Sequence, residues 1–316
     1  MDEFASAFFV ALIEAALSRQ GLSVPVRQTK PTGSQKVALA AKKALVQGVL
    51  ARHGPAALLR VGLGLPQFEH TPVADIFAPA RDPHNLFDRW RRMERYFHSR
   101  HRIDVEDRSP STVTFRHKAA SGPAPSAAED IVVAGMLSAL VEWIGATGVS
   151  LVCDDGVATR QAIVADRVVA DRTLSDADTA RWQLSWEAFE RVRPGPRPTE
   201  PPARAVNGQS LSGDHVRKIF VRVAADPTAR LRVNACAADL GLSGRSLQRR
   251  LAAEDNSFQE IVALARLQTA SDLLAHTDSP PSLVGLLAGY TDQPHFNREF
   301  RKGMAMTPVA YRNLAS

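Results

Sequence analysis

Stretches with apolar residues every three or four positions are separated, in the first half of the chain, by shorter stretches of strict alternation. The helical spacing predicts helices over residues 4–17, 36–53, 55–60, 82–102, 127–144 and 175–192. In the 82–102 segment Leu86, Trp90, Met93 and Phe97 form one apolar stripe. Arg89, Arg91, Arg92, Arg95, Arg100 and Arg102 fall on the other faces, as a solvated surface or a place for an anion or a partner subunit. Trp182, Leu184, Trp186 and Phe189 are the core candidates of the 175–192 helix. Alternation over 103–106 and 112–117, and again over 149–153 and 158–164, predicts two hairpins, the second turning at Asp154-Asp155-Gly156. An antiparallel sheet packed with helices follows, an α+β domain with room for a pocket between its layers.

Pro194, Pro196, Pro198, Pro201 and Pro202 then mark an extended, hydrated linker. The expected organisation is therefore a domain over 1–192, a Pro-rich linker over 193–212 and a second domain over 213–316. Beyond the linker the pattern is helical throughout. Helices are predicted over 214–225, 233–240, 243–253, 258–276, 282–288 and 293–302, and Thr307-Pro308 with Tyr311-Arg312 closes the domain.

Two of these helices repeat each other. In the first, Leu247 and Leu251 are one turn apart, Arg245 and Arg249 lie nearly opposite, and Gln248 is at the flank. The apolar, polar, Arg, charged, apolar pattern returns at Phe296-Asn297-Arg298-Glu299-Phe300, with His295, Arg298 and Lys302 opposite the phenylalanines. Gly241 and Gly289 suit the turns before them, and Ser243 and Asp292 or Thr291 suit their caps. The small residues Ala235, Ala237 and Ala238 let the following helix cross closely, as a helix-turn-helix requires. A connecting helix of nineteen residues is roughly 28 Å long. With the bundles at its ends, that length matches two helices entering successive major grooves about 34 Å apart.

Composition narrows the partner only slightly. The hydrophobic fraction of 45%, charged fraction of 23% and formal charge of +6 are ordinary. From 213 onward thirteen Lys or Arg face ten Asp or Glu, so placement and not bulk charge carries the DNA argument. Arg donates two bonds to guanine and Gln both donates to and accepts from adenine. Arg249 and Arg298 are read as base contacts, and Arg250 and Arg301 as backbone contacts. Arg245, Gln248, Gln293, His295 and Lys302 complete the DNA-binding set. Cys153 and Cys236 are too few and too separated for a disulfide framework, which suits a reducing cytoplasm. The apolar 4–17 stretch follows Asp2 and Glu3 and contains Glu14, unlike a signal sequence, and no run nears the roughly 20 residues of a membrane span. His98 and His101 have a metal-compatible spacing without further ligands around them. Gly33-Ser34-Gln35-Lys36 lacks the spacing of a phosphate loop. No catalytic constellation can be assembled, and neither a cofactor nor a metal is expected.

The segment from Leu231 to Arg312 resembles the DNA-binding domain of AraC-type transcription regulators. The resemblance rests on Ala237, the 240–243 turn, Leu247-Gln248-Arg249-Arg250-Leu251, Ser257-Phe258, Arg266, Leu273-Leu274, Gly289-Tyr290, Asp292-Gln293, Phe296, Arg298, Phe300, Thr307-Pro308 and Tyr311-Arg312. It implies an all-α domain of seven helices in which a long helix joins two helix-turn-helix units. Asp255 stands at a usual glycine, Gly285 at a usual alanine and Pro294 at a usual small polar residue. Gly303 and Ala305 stand at a usual bulky residue and glycine. Arg81-Asp82-Pro83, Leu86, Arg89-Trp90, Glu94-Arg95-Tyr96 and the 98–102 run resemble the amino-terminal domain of the ornithine- and arginine-responsive members. That likeness implies an effector-sensing, dimerising domain. The expectation is a cytoplasmic regulator of double-stranded promoter DNA controlled by a small-molecule effector, with no membrane partner. A second copy of the chain and RNA polymerase are further candidate partners. The alternative is a ligand-independent architectural protein whose first domain only oligomerises.

Overall fold

The computed structural model describes residues 4–22, 36–68, 74–97, 100–176, 178–192 and 213–315. The chain divides into two compact units, Met1–Arg193 and Pro194–Ser316. The predicted linker, 193–212, and His98 lie outside the described residues.

The first unit begins with strand β1 (Phe4–Ser6) and helix α1 (Ala7–Arg19), followed by β2 (Lys36–Ala38), which pairs antiparallel with β1, and α2 (Leu39–His53). Helices α3 (Pro55–Leu59), α4 (Ala74–Phe77) and α5 (Pro83–Phe97) come next. Strands β3 (His101–Ser109) and β4 (Thr112–Ala119) lead to α6 (Ala127–Ile144), which is apolar around nearly its whole circumference and buried along most of its length. A helix of that kind belongs in the centre of a core. Ser126 and Glu129 close its first turn as a capping box. Gly135 allows α6 to lie against the backbone of Leu59, where a Cβ would sit 2.7 Å from the Leu59 Cα.

After α6 come β5 (Ala146–Thr147), β6 (Ser150–Asp154), β7 (Thr159–Val164), β8 (Arg167–Val168), β9 (Arg181–Ser185) and β10 (Ala188–Phe189). Six of these strands make an antiparallel sheet in the order β3-β4-β9-β6-β7-β8. One face buries Val113, Phe115, Leu151, Cys153, Trp182 and Leu184. Phe115 meets Phe87 of α5 with ring centroids 5.4 Å apart. The other face carries ion pairs from strand to strand, including Lys118–Asp104, Arg116–Glu106 and Arg181–Glu106. This is the half-solvated antiparallel sheet that alternation predicts.

Three details correct the sequence reading. The predicted 175–192 helix is absent; its centre is β9, the strand that joins the two hairpins into one sheet. Trp182 and Leu184 point into the core while Gln183 between them is exposed, a period of two. The predicted 82–102 helix stops at Phe97, so His101 and Arg102 belong to β3. Arg89 is not on a solvated face either. It is 1% exposed and donates to the carbonyls of Ile76 and Pro79 and to Asn85.

The interior also holds a polar junction between α2, α6, the sheet and the turn before β9. Lys42 pairs with Glu129 at 3.5 Å, His117 Nδ1 lies 2.8 Å from Asp130, and Thr179 donates to Asp130. Burial pushes His117 down to about 3 and Asp130 up to about 8, so the pair holds one proton and no net charge at neutral pH. Burial likewise raises Glu94 to about 8, although the Trp90 indole and the Ile103 amide both donate to it.

The second unit is helical throughout its described residues: α7 (Asp214–Ala225), α8 (Val233–Asp239), α9 (Gly244–Ala253), α10 (Phe258–His276), α11 (Pro281–Leu287), α12 (Gln293–Met304) and α13 (Pro308–Ala315). Two cores share α10. Its first half gives Ile261, Leu264 and Ala265 to a cluster with Phe220, Leu247 and Leu251. Its second half gives Leu267, Ala270 and Leu274 to a cluster with Val284, Phe296 and Phe300.

Candidate nucleic-acid interface

The helices α9 and α12 are launched by nearly the same backbone device. At the first turn Gly241 N–H donates to Ala238 and Leu242 N–H to Ala237; at the second, Gly289 N–H donates to Leu286 and Tyr290 N–H to Gly285. Both glycines have positive φ, 67° and 85°, a region that side chains disfavour. Ser243 then accepts from the Ser246 amide at 3.1 Å and Asp292 from the His295 amide at 2.8 Å, capping each helix. Pro294 falls in the first turn of α12, where no intrahelical donor is required.

These caps fix which side chains face outward. Leu247, Leu251, Phe296 and Phe300 are each 0% exposed. Arg245, Gln248, Arg249, Arg250, Gln293, Arg298, Arg301 and Lys302 are exposed, and His295 is half-buried. The side chains of Arg245, Arg249, Arg301 and Lys302 make no hydrogen bond or ion pair with the described residues, leaving their donors available. Arg298 lies 3.4 Å from Glu299, and Glu299 occupies the position in α12 that Arg250 occupies in α9. His295 is oriented by Thr291 Oγ1, 2.9 Å from its Nδ1, and by the edge of the Tyr290 ring.

An open cleft of about 1090 Å³ runs between the two helices, lined among others by Gln248 and Asn256 on one side, Arg230 and Arg232 beside them, and His295 and Lys302 on the other. Arg230, Arg232 and Asn256 were not anticipated from sequence, because no periodicity links loop residues to a helix face. The relative setting of the two halves is held by Arg266, whose Nε donates to the Pro227 carbonyl at 3.2 Å, directly over Gly289. Arg312 ties the final helix to the carbonyls of Leu274 and Ser279. Asp255 and Ala305 both adopt left-handed backbone, with φ of 52° and 57°, at the two positions where glycine was expected.

Residues 236–314 match the family model of a helix-turn-helix domain. The carboxy-terminal domain is an AraC-type helix-turn-helix domain. The chain is 36% identical over 86 residues to the HTH-type transcriptional regulator VirS of Mycobacterium tuberculosis, a match covering 27% of this chain and 25% of that protein. It is 36% identical over 76 residues to the ornithine utilization regulator of Pseudomonas aeruginosa, covering 24% of this chain and 22% of that protein. The chain thus spans about a quarter of the length of these curated relatives. Among solved structures, the transcriptional regulator CdpR from Pseudomonas aeruginosa aligns over 97% of this chain and 98% of its own, at 18% identity and a TM-score of 0.37. No described helix is long and apolar enough to cross a membrane. Among the described residues no group of three or more His, Cys, Asp or Glu is placed to hold a metal.

Proposed function

We propose that this chain is a cytoplasmic, sequence-specific regulator of transcription that reads double-stranded promoter DNA with α9 and α12 of its AraC-type domain. The observation that carries the reading is the repeated turn and cap, which sets two helices with exposed Arg and Gln side chains and the half-buried His295 on either side of one cleft. Arg249 and Arg298 are assigned to base edges, with Gln248, Gln293 and His295 beside them. Arg250, Arg301, Arg245 and Lys302 are assigned to the phosphate backbone and hold the register. Residues 1–192 are assigned to sensing a small-molecule effector and to pairing with a second copy, 193–212 to a linker, and 213–316 to DNA. The effector assignment draws support from the likeness of Arg81-Asp82-Pro83 and the residues after it to the amino-terminal domain of ornithine- and arginine-responsive members. It draws further support from a relative whose name ties it to ornithine utilization. RNA polymerase is the remaining partner proposed, and no catalytic activity is assigned.

Duplex binding by the full chain, followed by fluorescence anisotropy across a salt series, tests the DNA reading. Arg249→Ala is expected to relax preference at one base pair, at a cost of about 1–3 kcal/mol, whereas Arg301→Ala weakens all sequences alike. Equal loss on every sequence in both variants contradicts the assignment. The effector reading is tested by melting temperature with ornithine and arginine. All four tryptophans lie in the first unit, so intrinsic fluorescence reports that unit alone. A cognate ligand at 100 times its dissociation constant stabilises by about 2.7 kcal/mol.

A further inference from the structure

One outward arginine of α9 is held by a residue that lies outside the helix-turn-helix. His215, the second residue of α7, has Nε2 3.1 Å from Arg250 Nη1, while its Nδ1 lies 3.7 Å from Glu254 Oε1. A guanidinium only donates, so Nε2 must be the acceptor and the ring's single proton must sit on Nδ1, facing the carboxylate. That arrangement accepts from Arg250 and turns the ring N–H toward the Glu254 carboxylate. The same carboxylate is seated against Gly213, where any side chain would overlap it. Thus the first residues of the DNA-binding unit grip the end of α9 at two points, and the chain Glu254, His215, Arg250 ends on a side chain assigned to DNA.

We propose that His215 is a positioning residue for DNA binding: it restrains the long Arg250 side chain so that the guanidinium donors not engaged by the imidazole are presented to a backbone phosphate. An unrestrained arginine must lose its rotamer freedom on contact, and a residue that fixes it beforehand removes part of that cost. The specificity of the site is untouched, because phosphate contacts carry no sequence information. The inference rests on the DNA-binding reading above.

The test uses the full chain and a duplex enriched by the wild type from a random pool, with affinity measured by anisotropy across a salt series. Arg250→Ala is expected to lower the salt slope by about 0.9, the loss of one phosphate contact. His215→Ala is expected to weaken binding roughly threefold to tenfold, the range of one net hydrogen bond. In the Arg250→Ala background the His215→Ala change should have no further effect. His215→Gln, which keeps a side-chain acceptor near the guanidinium, should recover most of the affinity. An equal loss from His215→Ala in both backgrounds overturns the proposal, as does a Gln variant no better than the Ala one. Failure of the wild type to bind any duplex would instead overturn the DNA-binding reading beneath it.

Discussion

Gly285→Ala shows how closely the second half of the DNA-binding domain is fitted. Gly285 lies on α11 against the root of Phe296 on α12: an added Cβ would sit 2.7 Å from its Cγ, 2.8 Å from its Cδ1 and 2.9 Å from its Cβ. Carbon contacts are ordinarily about 3.5–4.0 Å. The ring cannot swing clear, since the short contacts are at its base and it packs between Tyr290, 5.2 Å away, and Phe300, 5.4 Å away, between ring centroids. Two effects compete. Alanine is favoured over glycine within a helix by about 1 kcal/mol. Forcing an extra methyl into a filled core costs about 1–3 kcal/mol. Three simultaneous short contacts place the clash at the upper end, so a net loss of about 1–2 kcal/mol is expected. The substitution installs the residue that AraC-type domains usually carry, so the expectation runs against resemblance. Tryptophan fluorescence is blind to this unit, and amide hydrogen exchange of peptides covering 281–304 is the suitable assay. Faster exchange in the variant, partly relieved by adding Phe296→Leu, is the expected result. Slower exchange in Gly285→Ala would show that α11 and α12 are not in such close contact, and would refute the reasoning.

Other consequences follow from positions already described. Ala305→Gly, the other return to the usual residue, should stabilise the second unit by roughly 1 kcal/mol, because φ of 57° is unfavourable for alanine; a loss of protection in α12 would contradict it. Arg89→Ala should destabilise the first unit by about 2–5 kcal/mol, since the Ile76 and Pro79 carbonyls lose their donors. An unchanged melting temperature would show that Arg89 is not needed there. Glu94 is raised above its unfolded value, so the stability it contributes is full below the unfolded pKa and is lost as pH rises through about 8. The fall is up to about 1.4 kcal/mol per pH unit between pH 5 and 8. Glu94→Gln, which still accepts from Trp90 and Ile103, should flatten that fall in tryptophan-monitored melting, and an unaltered pH dependence would count against it.

What was legible in sequence was mainly what is local. Gly241 with Ser243, and Gly289 with Asp292, each act within a few residues, so the turns and caps before α9 and α12 are readable from the chain alone. Strand β9 was not readable, because Trp182, Trp186 and Phe189 satisfy a helical spacing while Trp182, Leu184 and Trp186 satisfy a strand spacing. Pairing with β4 and β6 decides between them, and that information is long-range. The same holds for the buried charges: Lys42 and Glu129 are 87 residues apart, and Arg89 finds its carbonyls in α4 and the turn that follows it. At the interface, the outward residues of α9 and α12 follow from the apolar pairs Leu247 and Leu251, Phe296 and Phe300. The hold of His215 on Arg250 spans 35 residues and has no local signature.

Selection of binding sites from a random duplex pool tests the central claim most directly. If α9 and α12 each read a major groove, the wild type should enrich two conserved blocks about 10 bp apart. Arg249→Ala should erase preference within one block and Arg298→Ala within the other. Enrichment of a single block, or loss of the same block in both variants, would contradict the account.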